Sequence, residues 1–202
     1  MPRIAGQIDR AKNEAILDAA SDVLFEKGLA APLDEIARRA GVSKQTIYNH
    51  YGSKAELIRA LIGRRGRLIS APLEEPLAEA FPQEALADYA RAVLEVVAME
   101  RGVALFRLLI QSAPTTPDIA CSAFEASVKA GRARLADFLA REARAGRLAI
   151  ADPVEAASFF SGMVVSHHQL QALFGLRSDL TPERIDRIAR EAARRFMRAY
   201  AP

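Results

Sequence analysis

The chain has 202 residues, of which 50% are hydrophobic and 26% are charged, a balance that excludes a fibrous or low-complexity protein. It contains one cysteine and three histidines, so an intrachain disulfide and a four-ligand zinc cluster of the usual Cys/His kinds, which need at least two cysteines, are excluded. No apolar run reaches the roughly 18 residues of a membrane span, and the N-terminus lacks the apolar stretch of a signal peptide. We therefore expect a cytoplasmic protein that does not associate with a membrane and binds no metal or cofactor.

Positive charge is concentrated in the first third of the chain. Residues up to Arg67 include 12 basic and 8 acidic side chains, whereas the remainder includes 16 basic and 17 acidic ones. This asymmetry is typical of an N-terminal segment that meets a polyanion, although a solvated basic face would give the same pattern.

The spacing of apolar residues predicts an all-α fold. They recur every three or four positions, and the chain is rich in Ala, Leu, Arg and Glu. Ser43 and Ser53 are placed to cap two of the predicted helices by accepting a backbone hydrogen bond one turn on. In the first part of the chain, the predicted helices cover about residues 12–27, 32–40, 44–51 and 54–68.

A change in character near residue 69 divides the chain. Three prolines between residues 69 and 82 forbid a regular helix interior, so we predict one domain over residues 1–68 and another over 69–202. In the second domain, a capping side chain followed by proline marks two helix starts, at Asp152 and at Thr181. The predicted helices there cover about residues 83–101, 103–112, 118–145, 153–174 and 182–200.

The segment from Leu33 to Tyr51 has the layout of a helix-turn-helix, two short helices joined by a turn that contains Gly41. Gly41 can adopt the left-handed backbone of the turn, while Val42 and Ile47 close the angle between the helices. The second helix is rich in hydrogen-bond donors and suits a DNA major groove. The residues predicted to contact DNA are Ser43, Lys44, Gln45, Thr46, Tyr48, Asn49, His50 and, in the next helix, Lys54.

The segment from about Ala15 to Leu61 resembles the DNA-binding domain of the tetracycline-repressor (TetR) family of bacterial regulators. The likeness rests mainly on the run GVSKQTIYNHYGSKAEL, which has that family's glycine turn, Ser-Lys opening, Thr-x-Tyr-x-His spacing and second Ser-Lys pair. The upstream run AILDAASDVLFEKG is similar to its first helix. Residues 104–175 resemble the AefR-like subset of C-terminal domains.

This resemblance implies a homodimer that binds a palindromic, double-stranded DNA operator and represses transcription until a small molecule binds to the C-terminal domain. One departure concerns the second helix, because the family often has Thr or Ser at its N-cap and this chain has Ala31 before Pro32. Asp34 and Glu35 still favour the positive end of that helix dipole. The resemblance assigns base contacts to Lys44 and Gln45 and phosphate contacts to Thr46, Tyr48, His50 and Lys54.

The predicted C-terminal domain suits a small apolar or aromatic effector. Aromatic and methionine side chains recur on its central helices, and one histidine among them is placed to orient a ligand. Ordinary core packing is the alternative interpretation of the same residues. The predicted effector-binding residues are Phe106, Phe124, Phe159, Met163 and His167.

Surplus apolar surface predicts an interface with a second copy of the chain. The helix that begins at Pro153 carries two adjacent apolar rows, and we expect one to pack inward and the other to face a partner. A row of small residues on the last helix would lie beside it. The predicted interface residues are Phe160, Val164, Ile188, Ala192 and Phe196.

Other features of the sequence have more than one interpretation. A metal site at His167 and His168 is disfavoured because adjacent helical residues point about 100° apart. Cys121 is expected to pack as a small hydrophobe rather than act as a redox switch. No catalytic triad, carboxylate pair or phosphate-cradling glycine loop can be assembled from the motifs, so we predict a non-enzyme. A regulator without a ligand, a helical enzyme with a nucleic-acid-binding appendage and a structural adaptor stay open.

Overall fold

The structure is a computed structural model that describes residues 10–76, 78–176 and 178–202. Within these ranges the regular elements are helices and helical turns, with no strand, and the predicted all-α fold is confirmed. In the same ranges, no helix has the length and apolar character needed to cross a membrane. The α-helices are α1 (Arg10–Lys27), α2 (Leu33–Arg39), α3 (Lys44–Tyr51), α4 (Lys54–Ser70), α5 (Pro82–Ala98), α6 (Glu100–Ser112), α7 (Pro117–Phe124), α8 (Ala130–Arg144), α9 (Pro153–Val165), α10 (His168–Leu173) and α11 (Pro182–Ala199).

The chain forms two compact units. The first comprises residues up to Arg64 together with Ala104–Ala126, and the second comprises Arg65–Val103 together with Ser127–Pro202. Helices α4 and α6 each contribute residues to both. The units are defined by packing, whereas the prediction of a DNA-binding domain at 1–68 and an effector and dimerisation domain at 69–202 concerns function and stays a prediction.

The first unit is built on one apolar face from each of its N-terminal helices. Ile16 and Val23 of α1, Ile36 of α2, Ile47 of α3 and Leu57 of α4 are all buried in a single core. Burying an aliphatic side chain of this size stabilises a fold by about 1.5 to 3 kcal/mol. These contacts hold the four helices in one arrangement and stabilise the two short ones, α2 and α3.

Ion pairs tie α1 to its neighbours around this core. The Arg64 guanidinium of α4 lies 2.6 Å from Glu14 and 2.8 Å from Asp18, both on α1. Arg39 of α2 donates to both carboxylate oxygens of Glu26, one of them at 2.8 Å. Paired guanidinium donors of this kind restrict relative rotation of helices more than a single ammonium does.

The second unit packs α5, α8, α9 and α11 around three buried phenylalanines, Phe138, Phe160 and Phe196. The Phe160 and Phe196 rings meet edge to face with centroids 5.1 Å apart, and Tyr89 stacks on Phe160 at 6.4 Å. Edge-to-face and offset-stacked rings are the favoured geometries for aromatic pairs. The aromatic cluster therefore forms the centre of this unit.

The prediction that placed one apolar row of α9 and the small-residue row of α11 on a dimer interface was wrong for four of its five residues. Those four side chains lie in the core of the chain's own second unit. The fifth, Ile188, is half-buried. The residues wrongly assigned to the interface are Phe160, Val164, Ala192 and Phe196.

The other row of α9 is the exposed one. Phe159 is 57% exposed and Met163 is 41% exposed, and Leu170 and Phe174, which follow the end of the helix, are exposed as well. The two rows are almost equally apolar and lie about 100° apart, so periodicity predicts both without deciding which faces inward. The packing of α8, α5 and α11 against α9 makes that choice.

Helix starts were predicted more accurately than helix interiors. Asp152 accepts hydrogen bonds from the amides of Val154 and Glu155 at 2.9 and 3.0 Å, and Thr181 accepts one from Arg184 at 3.3 Å, so both predicted caps are confirmed. The two longest predicted helices are interrupted. A π-helical turn at Glu125–Lys129 separates α7 from α8, and a break at residues 166 and 167 separates α9 from α10.

Cys121 is exposed on α7, so the expectation that it packs as a small hydrophobe was wrong. Its neighbour Ala123 takes the buried position of this short helix instead. Ile119, one turn earlier on α7, also packs against the core of the first unit, so this short helix contacts the core on a face that excludes Cys121.

The break between α9 and α10 is centred on Ser166, whose φ of 46° and ψ of −132° are disfavoured for a residue with a side chain. Replacing Ser166 by Gly removes the Cβ clash, and the gain exceeds the greater flexibility of glycine in the unfolded chain. We expect Ser166→Gly to raise the free energy of unfolding by about 0.5 to 1 kcal/mol, measured by urea denaturation. Ser166→Ala, which keeps the Cβ, should give no gain, and a gain from Ser166→Ala would contradict the explanation.

Candidate nucleic-acid interface

The turn between α2 and α3 sets the position of α3. Gly41 has a φ of 65°, a left-handed conformation that favours glycine, and the amide of Val42 donates to the carbonyl of Ala37 at 3.0 Å. Ile47 of α3 is completely buried in the core of the first unit. Because Ile47 points inward, the opposite face of α3 is the one exposed to solvent.

Ser43 caps the N-terminus of α3, as the sequence predicts. Its hydroxyl accepts the amide of Thr46 at 3.1 Å, and the two hydroxyls lie 2.8 Å apart. Ser53 caps α4 in the same way, accepting the amide of Glu56 at 3.2 Å. The cap of α2 differs from the expectation, because its N-cap is Pro32 rather than Ala31 and makes no side-chain hydrogen bond.

The two predicted base-reading side chains lie exposed on the first turn of α3. The Lys44 ammonium donates to Asp34 at 2.8 Å, and this hydrogen bond raises the pKa of Lys44 above its ordinary value. Gln45 donates its amide N–H to the Asn49 side-chain oxygen at 2.7 Å. Lys44 and Gln45 therefore project from the same turn, each held by a polar neighbour.

The second half of α3 exposes Tyr48 and His50, both predicted phosphate contacts. The His50 ring meets the Tyr51 ring edge to face, with centroids 4.6 Å apart. The Tyr51 hydroxyl donates to the Asn13 side chain of α1 at 2.6 Å, and burial raises the pKa of Tyr51. Sequence reasoning missed this link, because Asn13 lies 38 residues away and carries no motif that pairs it with Tyr51.

Lys54 is placed differently from its predicted role as a phosphate donor. Its ammonium is half-buried and donates to the carbonyl oxygens of Leu29 and Ala31, in the connection between α1 and α2. Burial lowers the pKa of Lys54. The side chain ties the start of α4 to that connection, and a phosphate would have to compete with two main-chain acceptors.

The predicted effector-binding residues are divided between the two units. Phe106, half-buried, and Phe124, exposed, belong to the first unit. Phe159, Met163 and His167 belong to the second and are exposed. The effector site stays a prediction.

A groove of about 820 Å³ runs along the surface of the second unit. Its wall combines the start of α5, Met163 of α9 and the charged outer face of α11. Close by in the chain, the His167 and His168 rings lie 4.4 Å apart, and burial lowers the pKa of His168. Across the described ranges, no cluster of three or more His, Cys, Asp or Glu side chains is arranged to hold a metal ion.

A short helix that is capped at its N-terminus, buried along one side and rich in exposed donors along the other is the arrangement of a helix-turn-helix DNA-binding protein. Comparison with known families agrees. Residues 16–61 match the family described as bacterial regulatory proteins, tetR family, and residues 84–202 match the AefR-like transcriptional repressor C-terminal domain. The chain belongs to the TetR family of helix-turn-helix transcriptional regulators.

Individual relatives are consistent with this assignment. The chain is 52% identical over 50 residues to the HTH-type transcriptional activator FasR of Mycolicibacterium smegmatis, a match that covers 24% of this chain and 23% of that one. A TetR-family transcriptional regulator from Mesorhizobium loti superposes with a TM-score of 0.79 at 25% identity, covering 96% of this chain and all of the other. The flavonoid-responsive regulator FrrA superposes with a TM-score of 0.71 at 33% identity, covering 95% and 97%.

The position of Lys54 predicts a loss of stability when it is replaced. Lys54→Ala leaves the carbonyls of Leu29 and Ala31 without a charged donor, and we expect the free energy of unfolding to fall by about 1 to 2 kcal/mol in urea titrations. Lys54→Met keeps the aliphatic stem and should be destabilised to a similar extent. Unchanged stability with weaker DNA binding would instead support the phosphate contact.

Proposed function

We propose that the protein is a homodimeric repressor that reads a palindromic operator through α3 and leaves the DNA when a small apolar or aromatic molecule binds. The observation that carries this proposal is the exposed first turn of α3, where Lys44 and Gln45 project from a helix anchored by the buried Ile47. In this proposal residues 1–68 bind DNA, residues 69–202 bind the effector and the second subunit, and the protein acts in the cytoplasm as a regulator rather than an enzyme.

The proposed base contacts follow from side-chain chemistry. A lysine ammonium suits the O6 and N7 acceptors of guanine, and a glutamine amide pairs with the N6 and N7 edge of adenine. In the structure Gln45 bonds to Asn49, so the pair can present one amide oxygen and one amide nitrogen to a base. Ser43, Thr46, Tyr48 and His50 supply neutral or weakly basic donors for backbone phosphates.

The proposed homodimer accounts for the exposed apolar surface of the second unit. Phe159, Met163, Leu170 and Phe174 are all exposed along α9 and the segment after it, and this proposal assigns Phe159 and Met163 to the interface rather than to the effector site. Several large apolar side chains exposed along one segment are typical of an interaction site, and a two-fold partner would cover the same side chains on both subunits. A dimer also lets two copies of α3 read half-sites about one helical turn, roughly 34 to 36 Å, or a multiple of it apart.

The proposals that the protein represses transcription and that its effector is aromatic are based on the descriptions of similar proteins. The family matched by residues 84–202 is described as a repressor, whereas FasR is described as an activator, so activation is the second candidate. FrrA is described as flavonoid-responsive, which favours an aromatic effector. A reporter gene under the control of the bound operator, with and without the protein, distinguishes repression from activation.

Base reading by α3 predicts a loss of discrimination when both side chains are removed. Lys44→Ala with Gln45→Ala should lower the ratio of operator affinity to random-duplex affinity by roughly tenfold or more per lost contact, because one good base contact is worth about 1 to 3 kcal/mol. Competition gel shifts measure this ratio. The assignment of base contacts to these residues fails if the ratio is unchanged.

The dimer proposal predicts that charge on the exposed row of α9 separates the subunits. Phe159→Glu or Met163→Glu should give a monomer in sedimentation and abolish operator binding, with helicity by circular dichroism retained. Val154→Glu is the matched control, since Val154 is exposed on α9 about 140° away from Phe159. A wild-type monomer at micromolar concentration, or charged variants that stay dimeric, would rule this interface out.

A further inference from the structure

Asp34 connects the two helices of the helix-turn-helix on their exposed side. It lies in the first turn of α2, is 63% exposed, and accepts the Lys44 ammonium at 2.8 Å. Lys44 is the first residue of α3, and its side chain is 47% exposed. The carboxylate is thus beside the ammonium that the proposed function assigns to a base.

The neighbouring acid on α2 is engaged elsewhere. Glu35 lies 2.6 Å from Lys27 and 3.5 Å from Arg39, so it serves the junction of α1 and α2. Among the described residues, the ion pair of Asp34 is with Lys44 alone. Two adjacent carboxylates on the same helix turn therefore have separate partners, and only Asp34 acts on α3.

We propose that Asp34 is a specificity-determining residue, whose carboxylate holds the Lys44 ammonium on the protein and thereby suppresses binding to DNA of arbitrary sequence. This inference rests on the proposed reading of an operator by α3. The carboxylate acts on the free protein and on the encounter with phosphates, and it contacts no base itself.

The physical reason lies in the difference between phosphate and base recognition. Binding to arbitrary duplex is driven by ammonium and guanidinium groups that displace condensed counterions. An ammonium that is already paired with a carboxylate displaces fewer of them. The electrostatic attraction between Lys44 and the phosphates of random DNA is therefore weakened.

A hydrogen-bond acceptor on a DNA base can approach the Lys44 ammonium from a side that Asp34 does not occupy. Lysine carries three N–H donors, and the bond to Asp34 uses one of them. The remaining donors can reach an acceptor in the major groove while the carboxylate holds the ammonium at the start of α3. Asp34 therefore lowers attraction to phosphates while it preserves, and orients, the donor that reads a base.

Asp34→Asn tests the inference, because it keeps the shape of the side chain and removes its charge. The operator is first obtained by selection from random duplexes with the wild-type protein, and the dissociation constants for operator and random duplex are then measured over a salt series. We expect the variant to bind random duplex about three- to tenfold more tightly, with operator affinity changed less than twofold. The log-log salt slope for random duplex should steepen by about 0.9 per subunit as Lys44 is released.

Two further variants test whether the effect depends on the ion pair between Asp34 and Lys44. Asp88→Asn removes the same charge from a surface ion pair with Arg91 in the second unit, and it should leave the operator-to-random ratio unchanged. Asp34→Asn combined with Lys44→Ala should bind random duplex no more tightly than Lys44→Ala alone. Thermal melting confirms that each variant is folded.

The outcomes separate this inference from the proposed function. A wild-type protein with no sequence preference in the selection contradicts the proposed operator reading. A clear wild-type preference, with Asp34→Asn leaving random-duplex affinity and salt slope unchanged, overturns the role of Asp34 alone. Tightening that persists without Lys44 also overturns it, since the carboxylate would then act by repelling phosphates and not by holding the ammonium.

Discussion

The burial of Ile47 is the constraint on which the proposed DNA-binding surface depends. Helix α3 has eight residues, too few to be stable alone in water, and this isoleucine anchors it in the core of the first unit. With Ile47 inside, the exposed face of α3 follows from helix geometry, and Lys44, Gln45 and Tyr48 lie on it. The left-handed conformation at Gly41 allows α2 and α3 to meet at the angle that this burial requires.

Around that anchor, charged side chains connect the helices at their ends and along their exposed sides. Arg64 and Arg39 bind carboxylates of α1, Lys54 binds main-chain carbonyls before α2, and Lys44 binds Asp34. Such pairs add little stability when both partners are solvated, so their main effect is on geometry. Among them, the Lys44–Asp34 pair holds a donor of α3 in a defined position before any DNA is present, which lowers the entropy lost on binding.

The second unit is organised by aromatic packing rather than by charge. Phe160 and Phe196 occupy its centre, and this choice leaves Phe159 and Met163 of the same region exposed. Because Phe160 is buried, the predicted interface row lies in the core, and the adjacent row of α9 is the exposed one. The proposed dimer interface therefore still lies on α9 but uses the other apolar row, because adjacent residues on a helix point about 100° apart.

Much of this protein was predictable from local sequence. Helix spacing, the caps at Ser43, Asp152 and Thr181, the glycine turn and the donor-rich α3 all depend on interactions within a few residues, which sequence records directly. The tertiary structure alone decided which row of α9 is buried, that Ser166 interrupts a long helix, and that Lys54 faces carbonyls 23 and 25 residues away. Those outcomes depend on where distant segments pack, and no periodicity or motif within a single helix carries that information.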